Sequence, residues 1–308
     1  MPAAARAMAG SLGFIGLGVM GSAESLNVCR KSGLPLRVYD REPTRLAPLV
    51  EAGATGAGSV AEVAAKADLL LLSLPGGPEV LSVLFDDDGV VQHARPGTLV
   101  VDLSTTPVEV ARSAHERLEE RGLRFLDAPV ARTRKAAIDG SLAIMVGGRA
   151  DDFARAEPVL RLMGTDVTHC GPAGAGALVK LLNNTVVFET VVALAEAVTV
   201  ARHSGIVSDE VLFDTLGAGS AASFALENHG RNALLPDSHP TGVFPAAYMR
   251  KDVGYMLDLA TSLGLQLPAA ALAHSLLERL CDEGFADSYH TAVVRLLDTD
   301  RTRGREDR

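Results

Sequence analysis

Three stretches hold residue types whose spacing could do chemistry. In "GALVKLLNN", Lys180 is followed by Asn183 and Asn184, with Gly176 one turn before it. Spacings of three and four put all four on one helical face. An ammonium that gives or takes a proton, beside an amide that holds an oxygen, suits acid–base work on a hydroxyl or carbonyl. A solvated first turn is the uneventful alternative, but the surrounding helix is apolar. In "GFIGLGVMG", Gly16-x-Gly18-x-x-Gly21 encloses Met20 and opens a helix directly after an apolar run. Gly16 allows the tight turn, Gly18 lets a pyrophosphate approach the backbone, and Gly21 lets helix and strand pack closely. The helix N-terminus offers free N–H groups to the phosphates. Asp40 ends "LRVYD" at the distance where an acid accepts from ribose hydroxyls and repels a 2′-phosphate. That favours NAD, although Arg41 and Arg45 follow at once and an arginine there could accommodate NADP. The third stretch, "DAPVARTRK", ends an apolar run in two arginines and a lysine with a threonine among them.

The elements that must position these residues follow from periodicity. "LGFIGLG", "LRVYD", "ADLLLLSLP", "TLVVDLS", "RFLDAPV" and "SLAIMVGG" are expected strands, separated by helical patterns. Such alternation predicts a parallel sheet covered on both faces, an α/β domain over 1–174. From residue 175 onward no strand is expected, and a long helix from about 176 to 203 should begin an all-helical domain over 175–308. Shorter helices are predicted near 208–217, 221–235, 246–264, 269–284 and 288–298. The charged tail "RTRGREDR" is expected to fray.

Bulk properties exclude several classes. A net charge of −9 argues against a nucleic-acid partner. Cys29, Cys170 and Cys281 lack metal-ligand spacing and fit a reducing compartment. No His/Cys/Asp/Glu cluster suggests a metal. The start could imitate a signal peptide, because Arg6 precedes an apolar stretch, but its glycines belong to the nucleotide loop. The longest apolar run, "TVVFETVVALAEAVTVA", carries Glu189 and Glu196 and is too short and charged for a membrane span. A cytoplasmic chain without a membrane partner is expected.

Taken together, "GFIGLGVMG", "LSLPGGPEV", "VVDLST", "DAPV" with "GSLAIMVGG", "GALVKLLNN" and "MRKD" resemble the β-hydroxyacid dehydrogenase family over nearly the whole chain. The resemblance implies an N-terminal Rossmann-type domain, a long interdomain helix, a helical C-terminal domain resembling that of 6-phosphogluconate dehydrogenase, and an active site between the domains. It implies Lys180 as proton donor or acceptor, Asn184 beside it, Asn183 and Lys251 near the substrate, and Leu74, Pro75, Thr105 and Lys251 at the cofactor. A homodimer or homotetramer is implied as well. Many members carry Met at the place of Glu24, where a partly exposed helix position is expected. Most members have "DAPVSGG"; here Ala131, Arg132 and Thr133 replace Ser-Gly-Gly. A planar charged fork plus a hydroxyl suits an anion with several oxygens. The "PV-x-R-T" pattern is similar to that of sulfolactaldehyde reductase, a member whose substrate ends in a sulfonate; a phosphonate would fit equally. Arg132 and Thr133 are therefore expected at a small anionic substrate, with Arg134 and Lys135 solvated in the next polar turn. Imine reduction and a non-catalytic dinucleotide-binding module are the alternatives. Lys180 counts against the first, since imine-reducing relatives usually replace it, and the retained Lys180, Asn184 and Lys251 count against the second.

Overall fold

A computed structural model describes residues 10–297. The arginine-led start and the charged tail lie outside the described residues. Those described form two compact units, divided between Lys180 and Leu181.

In the first unit, strands and helices alternate: β1 (Leu12–Ile15), α1 (Gly21–Ser32), β2 (Leu36–Tyr39), α2 (Ala47–Glu51), β3 (Thr55–Gly56), α3 (Val60–Ala64), β4 (Leu69–Leu72), α4 (Gly77–Phe85), α5 (Val90–His93), β5 (Leu99–Asp102), α6 (Val108–Glu119) and β6 (Arg124–Asp127). Then come β7 (Val130–Ala131), α7 (Arg134–Asp139), β8 (Leu142–Gly147), α8 (Ala150–Leu160) and β9 (Gly164–Gly171). The order β3-β2-β1-β4-β5-β6 is parallel throughout. β8 then pairs antiparallel with β6 and β7, and parallel with β9. The sheet is therefore mixed rather than wholly parallel. Leu69, Leu70, Leu71 and Leu72 are all fully buried, as a strand covered on both faces requires. Two apolar clusters, one on each side, hold the helices to it. α1 stops where Gly33 takes φ 67°, a left-handed C-terminal cap.

The loop that follows β7 is a helix start rather than a polar turn. Thr133 caps α7 by accepting from Ala136 N, so Arg134 and Lys135 occupy its first turn, both exposed. β9, "GTDVTHCG", was not expected as a strand; its mostly polar residues, half-buried or exposed after Gly164, lack an apolar run.

The second unit is helical. α9 (Ala175–Ser204) crosses from the first unit into it, followed by α10 (Asp209–Ala218), a π-helix over Leu226–Leu234, α11 (Ala246–Ser262) and α12 (Pro268–Leu280). Phe188, Phe213, Met249, Val253 and Leu277 are among the residues of its own buried core. α9 is long and apolar enough to cross a membrane, which the apolar run alone did not indicate. Half of its most apolar window is buried against protein, as in a core helix.

Candidate active site

The glycine loop has the stereochemistry its sequence predicts. Gly16 sits at φ 93°, and a Cβ there would stand 2.2 Å from the Ser73 carbonyl oxygen. A Cβ on Gly21 would stand 2.0 Å from the Gly16 oxygen, so helix and strand approach as only glycine permits. Gly18 meets nothing within 4 Å, which leaves its backbone open to a ligand. Met20 precedes the first turn of α1. The residues present therefore fit a dinucleotide pyrophosphate at the α1 N-terminus.

Asp40 closes the far side of the same loop. One carboxylate oxygen accepts from Leu17 N at 2.6 Å, the other from Glu42 N at 2.9 Å, and the Arg45 guanidinium lies 3.4 Å away. Asp40 thus braces the glycine loop from the end of β2. Arg41 beside it is exposed. Two further loops leave the same sheet edge. Leu74 N donates to Ser104 Oγ at 2.9 Å, and Ser104 N donates to Asp102 Oδ1 at 3.0 Å. These bonds tie the loop of Leu74 and Pro75 to that of Thr105, beyond the carboxyl ends of neighbouring strands where open α/β sheets bind ligands.

Glu24 departs from expectation. It is fully buried in the first turn of α1, and neither carboxyl oxygen makes a well-formed hydrogen bond. Burial pushes its pKa up to about 7, against a smaller downward pull from the adjacent Ser73 hydroxyl.

The stretch from the end of β6 to the start of α7 does two things. Asp127, also buried, accepts from Gly174 N and Ala177 N, each at 2.8 Å, and so caps the start of α9. Burial raises its pKa, while the backbone donors partly offset that rise. A Cβ on Gly176 would stand 2.3 Å from the Met145 oxygen, so the helix start is pressed against this strand pair. Lys180 follows one turn later with 8 % of its surface exposed. Arg132 has φ 85°, a left-handed conformation that favours glycine. Its guanidinium already has an anion: it pairs with Asp166 at 2.6 Å, and also donates to Thr165 Oγ1 at 3.0 Å and the Ser141 carbonyl at 2.5 Å. Thr133, having accepted from Ala136 N, keeps its own hydroxyl proton to donate.

In the second unit α9 continues into a linked set. Asn183 Nδ2 donates to Asn184 Oδ1 at 3.1 Å, and Asn184 Nδ2 donates to Asp252 Oδ2 at 2.7 Å. Lys251 Nζ lies 3.0 Å from the other Asp252 oxygen and 5.1 Å from the Tyr255 ring centroid. Asp127, Asp252 and Ser104 had no expected role. Asp252 and Ser104 adjoin Lys251 and Thr105 in "MRKD" and "LST", and Asp127 opens "DAPV"; that placement was the available signal.

Residues 11–171 match the family described as the NAD binding domain of 6-phosphogluconate dehydrogenase. Residues 174–297 match the one described as NAD-binding of NADP-dependent 3-hydroxyisobutyrate dehydrogenase. The chain belongs to the β-hydroxyacid dehydrogenase family. It is an NAD(P)-dependent dehydrogenase of that family. It is 34 % identical to an NAD-dependent L-serine dehydrogenase of Pseudomonas aeruginosa, covering 93 % of this chain and 97 % of that one. Mitochondrial 3-hydroxyisobutyrate dehydrogenase of Mus musculus is 32 % identical, over 93 % and 86 % of the two chains. The solved structure of Mycobacterium tuberculosis 3-hydroxyisobutyrate dehydrogenase with L-serine superposes with a TM-score of 0.85 at 33 % identity, covering 93 % and 98 %.

Proposed function

We propose that this dehydrogenase acts on a small 3-hydroxy acid or the matching aldehyde or ketone, prefers NAD, and uses Lys180 as its acid–base group. The observation that supports this best is the Asp127-capped start of α9, which holds Lys180 buried one turn before Asn183 and Asn184. When bound, the dinucleotide supplies or accepts the hydride at the substrate carbon. Lys180 moves the proton at the oxygen on that carbon. Asn184, fixed through Asp252, orients the same oxygen, and Lys251 adds positive charge for the anionic end of the substrate. The NAD preference rests on Asp40, whose buried carboxylate would repel a 2′-phosphate.

A second proposal concerns the anion, for which the Arg132 backbone speaks. A left-handed arginine costs about 1–3 kcal/mol and persists where its side chain is needed. In this view a sulfonate or phosphonate takes Asp166's place on the guanidinium. The alternative is a plain carboxylate held by loop N–H groups and Thr133, with the Arg132–Asp166 pair left intact. A turnover panel with NADH and NADPH tests all of this, using carboxylate, sulfonate and phosphonate forms of one short hydroxyaldehyde together with a cyclic imine. Turnover of carboxylates alone would remove the tetrahedral anion, and turnover of the imine alone would remove the hydroxyacid reading.

A further inference from the structure

Glu24 is a buried acid that no step above uses, and its position is unusual. It stands in the first turn of α1, the helix whose N-terminal end the open Gly18 backbone exposes. The helix rises about 1.5 Å per residue, so Glu24 lies only about 4.5 Å along the axis from Gly21 at the helix start. A carboxylate there and a pyrophosphate beyond the helix start would repel one another through a medium that screens poorly. Its carboxyl is fully buried, and neither oxygen makes a well-formed hydrogen bond to disperse a charge.

We propose that Glu24 is a proton site coupled to the dinucleotide: binding of the pyrophosphate draws a proton onto this carboxyl, and affinity for the cofactor falls as pH rises.

The neighbouring elements supply no competing charge. On α7, which packs on α1, Lys135 pairs with Asp139 and Arg134 is exposed. On α2, Glu51 is exposed; at the end of β2, Asp40 is turned to Leu17 N and Arg45. The basic residues of α1 itself, Arg30 and Lys31, are in its last turn. Burial and the Ser73 hydroxyl are what act on Glu24, and they leave its pKa at about 7, so an added negative ligand moves it within the working range. The sign follows from linkage. Below pH 7 the carboxyl is already protonated and binding takes up nothing. Above pH 7 it is ionised in the free protein, and binding must take up a proton.

The test is calorimetric titration of the full-length protein with NADH at pH 5.5, 7 and 8.5, in paired buffers of different ionisation enthalpy. Wild type should take up close to one proton at pH 8.5 and almost none at pH 5.5. Its dissociation constant should weaken by up to about tenfold per pH unit above 7. Glu24→Gln should bind NADH with no proton uptake attributable to this site and a flatter affinity profile; Glu24→Met provides the same comparison if the amide folds poorly. The proposal is overturned if wild type shows no uptake at pH 8.5. It is equally overturned if the uptake survives in either variant.

Discussion

Lys180 and Arg132 are both cations, yet their surroundings differ. Lys180 is nearly enclosed, and acid–base help from such a group contributes about 10²–10⁴ in rate. Lys180→Ala should therefore lower kcat by at least about 10² while the NADH dissociation constant changes little; a variant with near-normal kcat would take the proton away from Lys180. Arg132 is partly exposed and engaged by Asp166, Thr165 and Ser141. If a tetrahedral anion displaces Asp166, Arg132→Gly should raise KM for that substrate about 10- to 100-fold, as expected for a charged hydrogen bond. Asp166→Asn should then leave KM equal or lower, because the competing carboxylate is gone. A guanidinium that only braces the loop gives another pattern, in which both substitutions raise KM alike for every substrate. The helix that carries Gly176, Lys180, Asn183 and Asn184 was legible from "GALVKLLNN" because helical spacing is a local property. The partner of Arg132 was not, because Asp166 lies on a strand far along the chain. The burial of Glu24 was hidden for the same reason: a twelve-residue helix pattern does not reveal which loop covers its first turn.

At the scale of elements, apolar strands were legible because each is a short unbroken run with all residues covered, as in Leu69–Leu72. β9 and the two-residue β3 were not, since an exposed polar edge and a pair of residues have no period to detect. The π-helix over Leu226–Leu234 was also hidden: its turns differ from α-helix turns by backbone packing rather than by residue pattern. The element with most consequence for activity is the start of α9. Its N–H groups at Gly174 and Ala177 depend on one buried carboxylate. Asp127→Ala would strand both donors at about 1–3 kcal/mol each. Unfolding in urea should show a loss of roughly 2–5 kcal/mol, with Asp127→Asn intermediate because one acceptor oxygen survives. Since Lys180 is one turn downstream, kcat should fall more than affinity for NADH does. Unchanged stability in Asp127→Ala would show that the helix start is held by packing, through Gly176 and Gly147, rather than by the cap.

At the scale of the whole molecule, acid should act first on the second unit, where histidines are packed into an apolar interior. His290 is fully buried between the rings of Phe188 and Phe244, with neither ring nitrogen hydrogen-bonded. His229 contacts it at 5.1 Å between ring centroids and hydrogen-bonds Tyr289, while His239 meets Thr291 at 2.8 Å and Asp237 at 3.2 Å. Burial lowers His229 to about 4 and His290 well below its ordinary range; His239 is lowered too, against the pull of Asp237. The folded unit therefore holds fewer protons than the unfolded chain below pH 6.5. The stability these groups carry is complete above that pH and is lost as pH falls toward 4. At about 1.4 kcal/mol per pKa unit the loss reaches a few kcal/mol, enough to lower Tm by roughly 10 °C between pH 7 and 4.5. Hydrogen exchange across that range should show protection lost in residues 181–297 before the β-sheet of the first unit loosens. His290→Leu removes the most deeply buried base, so its Tm should fall less steeply with acid than that of wild type. If the two slopes coincide, or if the first unit's sheet opens first, the histidines are bystanders and ionised carboxylates of the first unit set the acid limit.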